Sequence, residues 1–146
     1  MHELSITRQI KAPPEAVWGA MTNRIGEWFC PAPWRAVVDR DDRRAGGQLN
    51  MTFLGPDGEE MPQNGIYLAY EEHKRFVTTD AITGDYEPGE PFMIGIWAIE
   101  PEGKDTRFTA TARHWTEEAC EQHREMGFET GWTAAAEQLA ALCEDR

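Results

Sequence analysis

The stretch that decides the fold lies near the carboxyl end, at residues 116–143 (TEEACEQHREMGFETGWTAAAEQLAALC). Thr116 is a predicted N-cap, because its hydroxyl can accept a backbone N–H, and the two glutamates that follow place negative charge at the positive end of a helix dipole. No proline follows Pro101, and the second half of the stretch is rich in alanine and leucine. The sequence therefore predicts one continuous helix from Thr116 to Cys143.

Apolar side chains recur along this helix at steps of three and four residues, which places them on one face. They are Phe128, Trp132, Ala135, Leu139 and Leu142, and the opposite face carries Glu129, Thr133, Glu137 and Glu144. A helix of this length spans about 40 Å. It therefore needs an apolar partner surface of similar length.

Two glycines, Gly127 and Gly131, fall inside the predicted helix, where each costs up to about 1 kcal/mol relative to alanine. Two interpretations remain open: the glycines thin the helix beside a cavity or strand, or they permit close backbone packing with no ligand. Their G-x-x-x-G spacing also occurs in membrane helix pairs, but the neighbouring glutamates exclude a spanning segment.

The rest of the chain reads as a sheet with two short helices. Alternation predicts a first strand over Leu4–Ile10, and the next segments predict helices over Glu15–Met21 and Ile25–Phe29. Six further strands are predicted at Trp34–Asp39, Gln48–Leu54, Asn64–Tyr70, Arg75–Ala81, Phe92–Ile99 and Thr106–His114. Residues 83–91 are rich in glycine, proline and acid, which predicts a surface loop able to flap over an opening.

Consecutive hairpins imply an antiparallel sheet, and one face of that sheet must be covered. The last helix is the only predicted element long enough to cover it. We therefore expect a single α+β domain over residues 1–146, in which a curved antiparallel sheet of about six to seven strands wraps around the long C-terminal helix. The two short helices after strand 1 should close one end.

Charge and cysteine content narrow the possible partners. The 146 residues include 14 basic and 26 acidic side chains, and the net charge of −12 opposes binding to nucleic acid or to anionic membranes. Neither a signal peptide nor an apolar run of membrane length is present, so we expect a cytoplasmic protein. Cys30, Cys120 and Cys143 are odd in number and widely spaced, which predicts reduced thiols.

Arg8 interrupts the apolar face of the first strand. A buried unpaired guanidinium is costly, so Arg8 either forms an ion pair with an inward-facing acid or binds an anionic group of a ligand. Asp80 is one candidate acid, since it shares parity with Phe76 and Thr78, and the strand pattern leaves open whether that face is inward or outward.

Several short segments, in this order and spacing, resemble one superfamily. They are Ala12-Pro13 with Val17-Trp18, Trp28-Phe29 before Pro31, Gly46-Gly47, Gly55-Pro56-Asp57-Gly58, Thr79-Asp80-Ala81, and Met126 to Trp132 (MGFETGW) followed by Leu139. The chain resembles the START-like or SRPBCC superfamily, and within it the branch similar to the C-terminal domain of the heat-shock-protein-90 ATPase activator. The resemblance implies a helix-grip fold with a hydrophobic ligand cavity between sheet and helix.

An excess of large rings, combined with small inward residues, favours a pocket over a solid core. The rings are Trp28, Phe29, Trp34, Phe53, Tyr67, Trp97, Phe128 and Trp132, and the small residues are Gly65, Ala69, Gly95, Ala110 and Ala112. Met51, Thr78 and Ile96 complete the predicted apolar wall.

His114 and Asp80 are the predicted polar groups of this pocket. Parity turns His114 inward at the end of a strand, where it orients a ligand, acts as a general base, or serves as a satisfied structural histidine. Cys120, His123 and His114 loosely imitate a zinc set, but no C-x-x-C or H-E-x-x-H motif accompanies them. We therefore expect neither a metal nor a cofactor.

Three functions remain. The leading hypothesis is binding of a small apolar or aromatic molecule between sheet and helix, with no assigned catalysis. The second is a co-chaperone-like contact with a chaperone, which the resemblance alone implies. The third is a cyclase or hydrolase that uses His114 or Asp80 as acid or base. Monomer and homodimer both remain open.

Overall fold

The computed structural model describes residues 1–144. The elements, in chain order, are β1 (His2–Ile10), α1 (Pro14–Asn23), α2 (Ile25–Trp28), β2 (Arg35–Asp41), β3 (Gln48–Leu54), β4 (Glu60–Glu71), β5 (Arg75–Thr79), β6 (Ile82–Thr83), a 3₁₀ turn (Gly84–Tyr86), β7 (Glu87–Pro88), β8 (Ile94–Glu102), β9 (Asp105–His114), α3 (Glu117–Glu125) and α4 (Phe128–Glu144).

Seven strands form one antiparallel sheet in the order β1-β9-β8-β5-β4-β3-β2. The first strand pairs with the last, which brings the amino end beside the final helices. Buried residues on one face of the sheet pack against α1, α2 and α4 in the main core, and a second, smaller cluster consists of Leu4, Ala112, Cys120 and Phe128. The predicted α+β helix-grip fold, with two short helices after strand 1, is confirmed.

Two predicted segments need correction. The segment over residues 83–91 is not a plain loop, because β6 and β7 pair within it as a small two-stranded ribbon. The fourth strand is longer than its alternation indicates, since it begins at Glu60 and continues past a register shift between Tyr67 and Ala69.

The predicted single C-terminal helix is wrong, because the chain turns at Gly127. Gly127 adopts a φ of +96°, and its N–H donates to the carbonyl of Arg124 at 3.0 Å, which ends α3. The carbonyl of Gly127 then accepts the N–H of Gly131 at 2.9 Å, as the first turn of α4. The N-cap at Thr116 is confirmed, since its Oγ1 accepts the N–H of Ala119 at 3.0 Å.

Two polar contacts fix α4 on the sheet and on the loop after α2. The guanidinium of Arg8 donates to both carboxylate oxygens of Glu137 at 2.9 Å, so the predicted ion pair with an acid is confirmed and the acid is not Asp80. This hydrogen bond lowers the pKa of Glu137. The amide of Gln138 donates to the carbonyls of Trp28 and Cys30 and accepts the N–H of Ala32, so its hydrogen-bonding capacity is largely used.

We expect opposite effects from alanine at the two glycines. An added Cβ meets nothing within 4 Å at Gly127 and only the Pro31 ring, at 4.0 Å, beside Gly131, so crowding is minimal at both sites. Gly127→Ala should destabilise the protein by about 1 to 2 kcal/mol because of its left-handed backbone. Gly131→Ala should stabilise it by about 0.5 to 1 kcal/mol, since the site is helical.

Urea unfolding of the two variants beside the wild type measures both changes. Equal shifts of the same sign would contradict the break at Gly127.

Candidate functional site

A cavity of about 360 Å³ lies between the sheet and the start of α4. Its wall contains side chains of β3, β4, β5 and β8, and it continues to α3 and α4. The volume corresponds to on the order of ten water molecules, which exceeds the voids of an ordinary packed core. Asn64, Met126 and Gly127 are exposed lining residues and mark the mouth.

Trp97 is the centre of the aromatic wall. Its indole stacks on Trp132 of α4 with ring centres 5.6 Å apart and planes 11° apart, and on Phe76 at 5.3 Å. Phe29 approaches the same indole at 5.1 Å, and Phe128 lies 4.5 Å from Trp132. Each ring is held by another ring, so the wall is rigid without being filled.

The structure brings together most residues of the predicted pocket. The cavity wall includes Phe29, Met51, Phe53, Thr78, Asp80, Trp97, Phe128 and Trp132. Trp28, Trp34, Tyr67, Ile96 and His114 lie outside that wall.

Each of the outlying aromatic residues lies in other surroundings. Trp28 is 1% exposed, and its indole N–H donates to the carbonyl of Met21. The hydroxyl of Tyr67 donates to Asp41 at 2.7 Å, and burial together with this bond raises the pKa of Tyr67. Trp34 borders a separate surface depression beside Gln138.

Ile96 and most of the small residues predicted for the pocket do not line the cavity, either because they lie on the other face of the sheet or because they are closely packed. Ile96 alternates with the buried residues Gly95 and Trp97, so it lies on the opposite face of β8. Gly95 leaves no void, because the Trp97 ring occupies the place of its missing side chain. Ala110 and Ala112 are fully packed, and of the small residues Gly65 lines the cavity.

Asp80 holds one end of the cavity together. Its Oδ1 accepts the backbone N–H groups of Phe92 at 2.8 Å and Met93 at 3.3 Å. These contacts close residues 80–93, which we name the strap, around the β6–β7 ribbon. Phe92 and Met93 of the strap line the cavity, although the sequence patterns assigned them only to a strand.

A chain of hydrogen bonds joins two buried histidines at the same end. His114 Nδ1 lies 3.1 Å from the carbonyl oxygen of His2, and His114 Nε2 lies 2.8 Å from His123 Nδ1. A carbonyl only accepts, so in neutral His114 the proton is on Nδ1 and Nε2 accepts from His123. Neutral His123 therefore carries its proton on Nδ1 and keeps a lone pair on Nε2.

His123, rather than His114, reaches the cavity wall. Its ring packs against Phe92 at 4.7 Å and Phe128 at 5.2 Å between ring centres. Burial, and then the neighbouring His114, lower the pKa of His123 to about 4. A group with so low a pKa is a weak general base at neutral pH, so its chemistry here is that of a neutral hydrogen-bond acceptor.

The Cys30 thiol, which also lines the cavity, has low reactivity. Burial raises the pKa of the Cys30 thiol to about 11, which keeps that thiol protonated and poorly nucleophilic. Cys30, Cys120 and Cys143 are all buried, and none of the three forms a disulfide. Within residues 1–144, no group of three or more His, Cys, Asp or Glu side chains is arranged to hold a metal ion. None of the helices in that range is long and apolar enough to cross a membrane.

The family model described as Activator of Hsp90 ATPase homolog 1-like protein matches residues 11–144. The chain belongs to this family. The resemblance to the heat-shock-protein-90 activator branch of the START-like superfamily is thereby confirmed.

Solved structures of other proteins share the fold of this chain. Protein NE0264 from Nitrosomonas europaea is 32% identical, with a TM-score of 0.90 over 97% of this chain and 94% of that chain. Protein Ms6760 from Mycobacterium smegmatis is 25% identical, with a TM-score of 0.80 over 99% of this chain and 91% of that chain. A search of the curated proteins found no match.

We expect stability to fall between pH 6.5 and pH 5 because of His123. Its pKa is about 4 in the folded chain and about 6.5 when unfolded, so over this interval the unfolded chain binds the extra proton. The free energy of unfolding should drop by about 1 to 2 kcal/mol. The groups around the ring are His114, Phe92 and Phe128, with Asp80 across the strap.

Denaturant unfolding of wild type and His123→Phe at both pH values isolates this contribution, because the remaining titrating groups are shared. The variant should lose most of the pH dependence. An unchanged pH dependence in the variant would show that His123 does not supply it.

Proposed function

We propose that this member of the family binds one small apolar or aromatic molecule in the cavity between the sheet and α4. The observation that carries the proposal is a cavity of about 360 Å³ bordered by the stacked rings of Trp97 and Trp132. Ligand sites in proteins commonly occupy about 300 to 1,000 Å³ and are mainly apolar with a few polar groups. The cavity lies at the small end of that range, which favours one compact ligand.

The cavity wall has two apolar sides and a separate group of polar atoms, which favours a ligand bound in one orientation. Leu49, Met51 and Phe53 of β3 give one apolar side, and α4 gives the other. Asp80, Thr78 and His123 supply polar atoms. An aromatic ligand would place its ring between the apolar sides and its polar substituent among these groups.

The setting that we propose is the cytoplasm. The three buried cysteines form no disulfide, which fits a reducing compartment, where structural disulfides are rare.

The test is a titration with small aromatic probes, followed by tryptophan fluorescence, since Trp97 and Trp132 border the cavity. We expect saturable binding of naphthalene-sized probes with one site. Gly131→Phe should weaken probe binding at least about tenfold, because its side chain fills space beside α4 that the probe would otherwise occupy. A probe that can no longer bury part of its ring there loses more than about 1.4 kcal/mol of binding free energy.

Gly131→Ala is the matched control, as it changes the same position by one methyl group with open space around it. It should keep the affinity within about twofold of wild type. Absence of saturable binding by the wild type, or equal binding by Gly131→Phe, would reject the proposal.

A second candidate is contact with a chaperone of the Hsp90 class, which the family description motivates. Trp115 is 51% exposed and Met126 is 70% exposed, and they flank the two ends of α3. The solvent face of α3 carries four glutamates, Glu117, Glu118, Glu121 and Glu125. Such a face suits a basic surface on a partner, with aromatic and methionine contacts beside it.

This candidate predicts stimulation of the chaperone's ATPase that weakens with salt. Trp115→Ser should reduce the stimulation several-fold, whereas Tyr86→Ser, at an exposed site in the strap, should leave it unchanged. Lack of stimulation and of co-elution at low salt would exclude the contact.

A further inference from the structure

We propose that the cavity selects a neutral aromatic molecule that carries a hydroxyl or amino group, and that this group donates a hydrogen bond to Nε2 of His123. The inference rests on the proposed binding function and specifies the chemical class of its ligand. It makes His123 a specificity-determining residue and assigns no catalytic step.

The hydrogen-bond chain fixes the direction of recognition. The carbonyl of His2 accepts the Nδ1 proton of His114, and His114 Nε2 accepts the Nδ1 proton of His123. Each link settles the tautomer of the next ring. The last atom of this series of hydrogen bonds, His123 Nε2, is therefore an acceptor. A ligand that binds to it must supply the hydrogen-bond donor.

This acceptor remains open to a ligand. In the part of the chain that the structure describes, Asn50 Oδ1 is the one fully enclosed side-chain nitrogen or oxygen that lacks a hydrogen-bond partner. His123 Nε2 forms no hydrogen bond within residues 1–144, so it is not enclosed, and its residue lies on the cavity wall. The ring cannot easily turn away, because Nδ1 is held by His114 and one side packs against Phe92.

The charges around the cavity exclude an anionic ligand. Asp80 is the ionisable carboxyl among the lining residues, and within residues 1–144 none of the lining residues is an arginine or lysine. A carboxylate on the ligand would face Asp80 and the His123 lone pair with no compensating cation. The net charge of −12 adds to this repulsion.

The remaining polar groups of the wall do not discriminate. Thr78, Gln63 and Asn64 can each donate or accept, so they tolerate either kind of substituent. Preference for a donor must therefore come from His123 and Asp80. Oδ1 of Asp80 accepts the two strap amides, so a hydroxyl or amino donor in the cavity meets either Oδ2 of Asp80 or Nε2 of His123, and the comparison of wild type with His123→Phe measures the share of His123.

Three matched probes test the inference: 2-naphthol, 2-methoxynaphthalene and 2-naphthoate. The first donates a hydrogen bond, the second has lost only that donor, and the third is anionic. On the wild-type protein at pH 7, we expect 2-naphthol to bind about three- to tenfold more tightly than 2-methoxynaphthalene. 2-Naphthoate should bind most weakly.

His123→Phe keeps an aromatic ring and removes the acceptor. Its preference for 2-naphthol over 2-methoxynaphthalene, taken as the ratio of the two dissociation constants, should fall to about one. Circular dichroism checks that the variant is folded. A preference that persists in the variant overturns the inference.

Nitrogen NMR of the wild-type protein gives an answer that does not depend on the variant. His123 Nε2 should show the shift of an unprotonated nitrogen, and 2-naphthol should move it in the direction of hydrogen bonding whereas 2-methoxynaphthalene should not. A protonated Nε2 overturns the inference. Equal binding of 2-naphthol and 2-methoxynaphthalene overturns it while the binding function stands, and failure of all three probes overturns both.

Discussion

Gly127 holds a φ of +96° between α3 and α4, and this backbone conformation brings His123 to the cavity. In an unbroken helix, His123 and Phe128 would be five residues apart and would point about 140° away from each other. The break removes that constraint, and the ring of His123 lies 5.2 Å from Phe128 and 5.9 Å from Trp132. Other residues can reach this conformation only with strain, so a glycine here decides both the helix ends and the composition of the site.

The two halves of α4 meet the sheet differently. Towards the carboxyl end, Ala136, Leu139 and Ala140 are at most 1% exposed, and the Arg8–Glu137 pair and the three hydrogen bonds of Gln138 hold this half in place. The Arg8 pair is half exposed, so it contributes orientation more than stability. At the other end, Phe128 and Trp132 stack along an aromatic wall and leave room beside it. Because the carboxyl-terminal half of α4 is held in place, its amino-terminal half can border an open cavity. A closely packed core of the same residues would not contain such a cavity.

The polar groups in and beside the cavity already form hydrogen bonds within the protein. Asp80 satisfies two strap amides, and His114 satisfies the carbonyl of His2 and the ring of His123. Buried polar atoms require such partners, because an unpaired one costs about 1 to 3 kcal/mol. Nε2 of His123 is one of the acceptors that these bonds leave over, and it is the one to which we assign recognition of the proposed ligand. The family relationship accounts for the fold, whereas the selectivity that we propose depends on these particular residues of this chain.

Local sequence patterns predicted the bounds of β3, the N-cap at Thr116 and the inward face of His114, because a period of two and local capping rules are encoded by neighbouring residues. They left open which way Arg8 and Asp80 face and did not give the order of the strands across the sheet, because both depend on contacts between distant segments. The sequence did not determine depth: it assigned Trp28 and Trp97 alike to the pocket, but only packing shows that Trp28 is core and Trp97 is cavity wall. Nor did it locate the helix break, since glycine is compatible with both a helix interior and a left-handed turn. Only the tertiary structure, through the turn at Gly127 and the bond from His123 to His114, decided which histidine faces the cavity, because that choice depends on contacts between elements far apart in the chain.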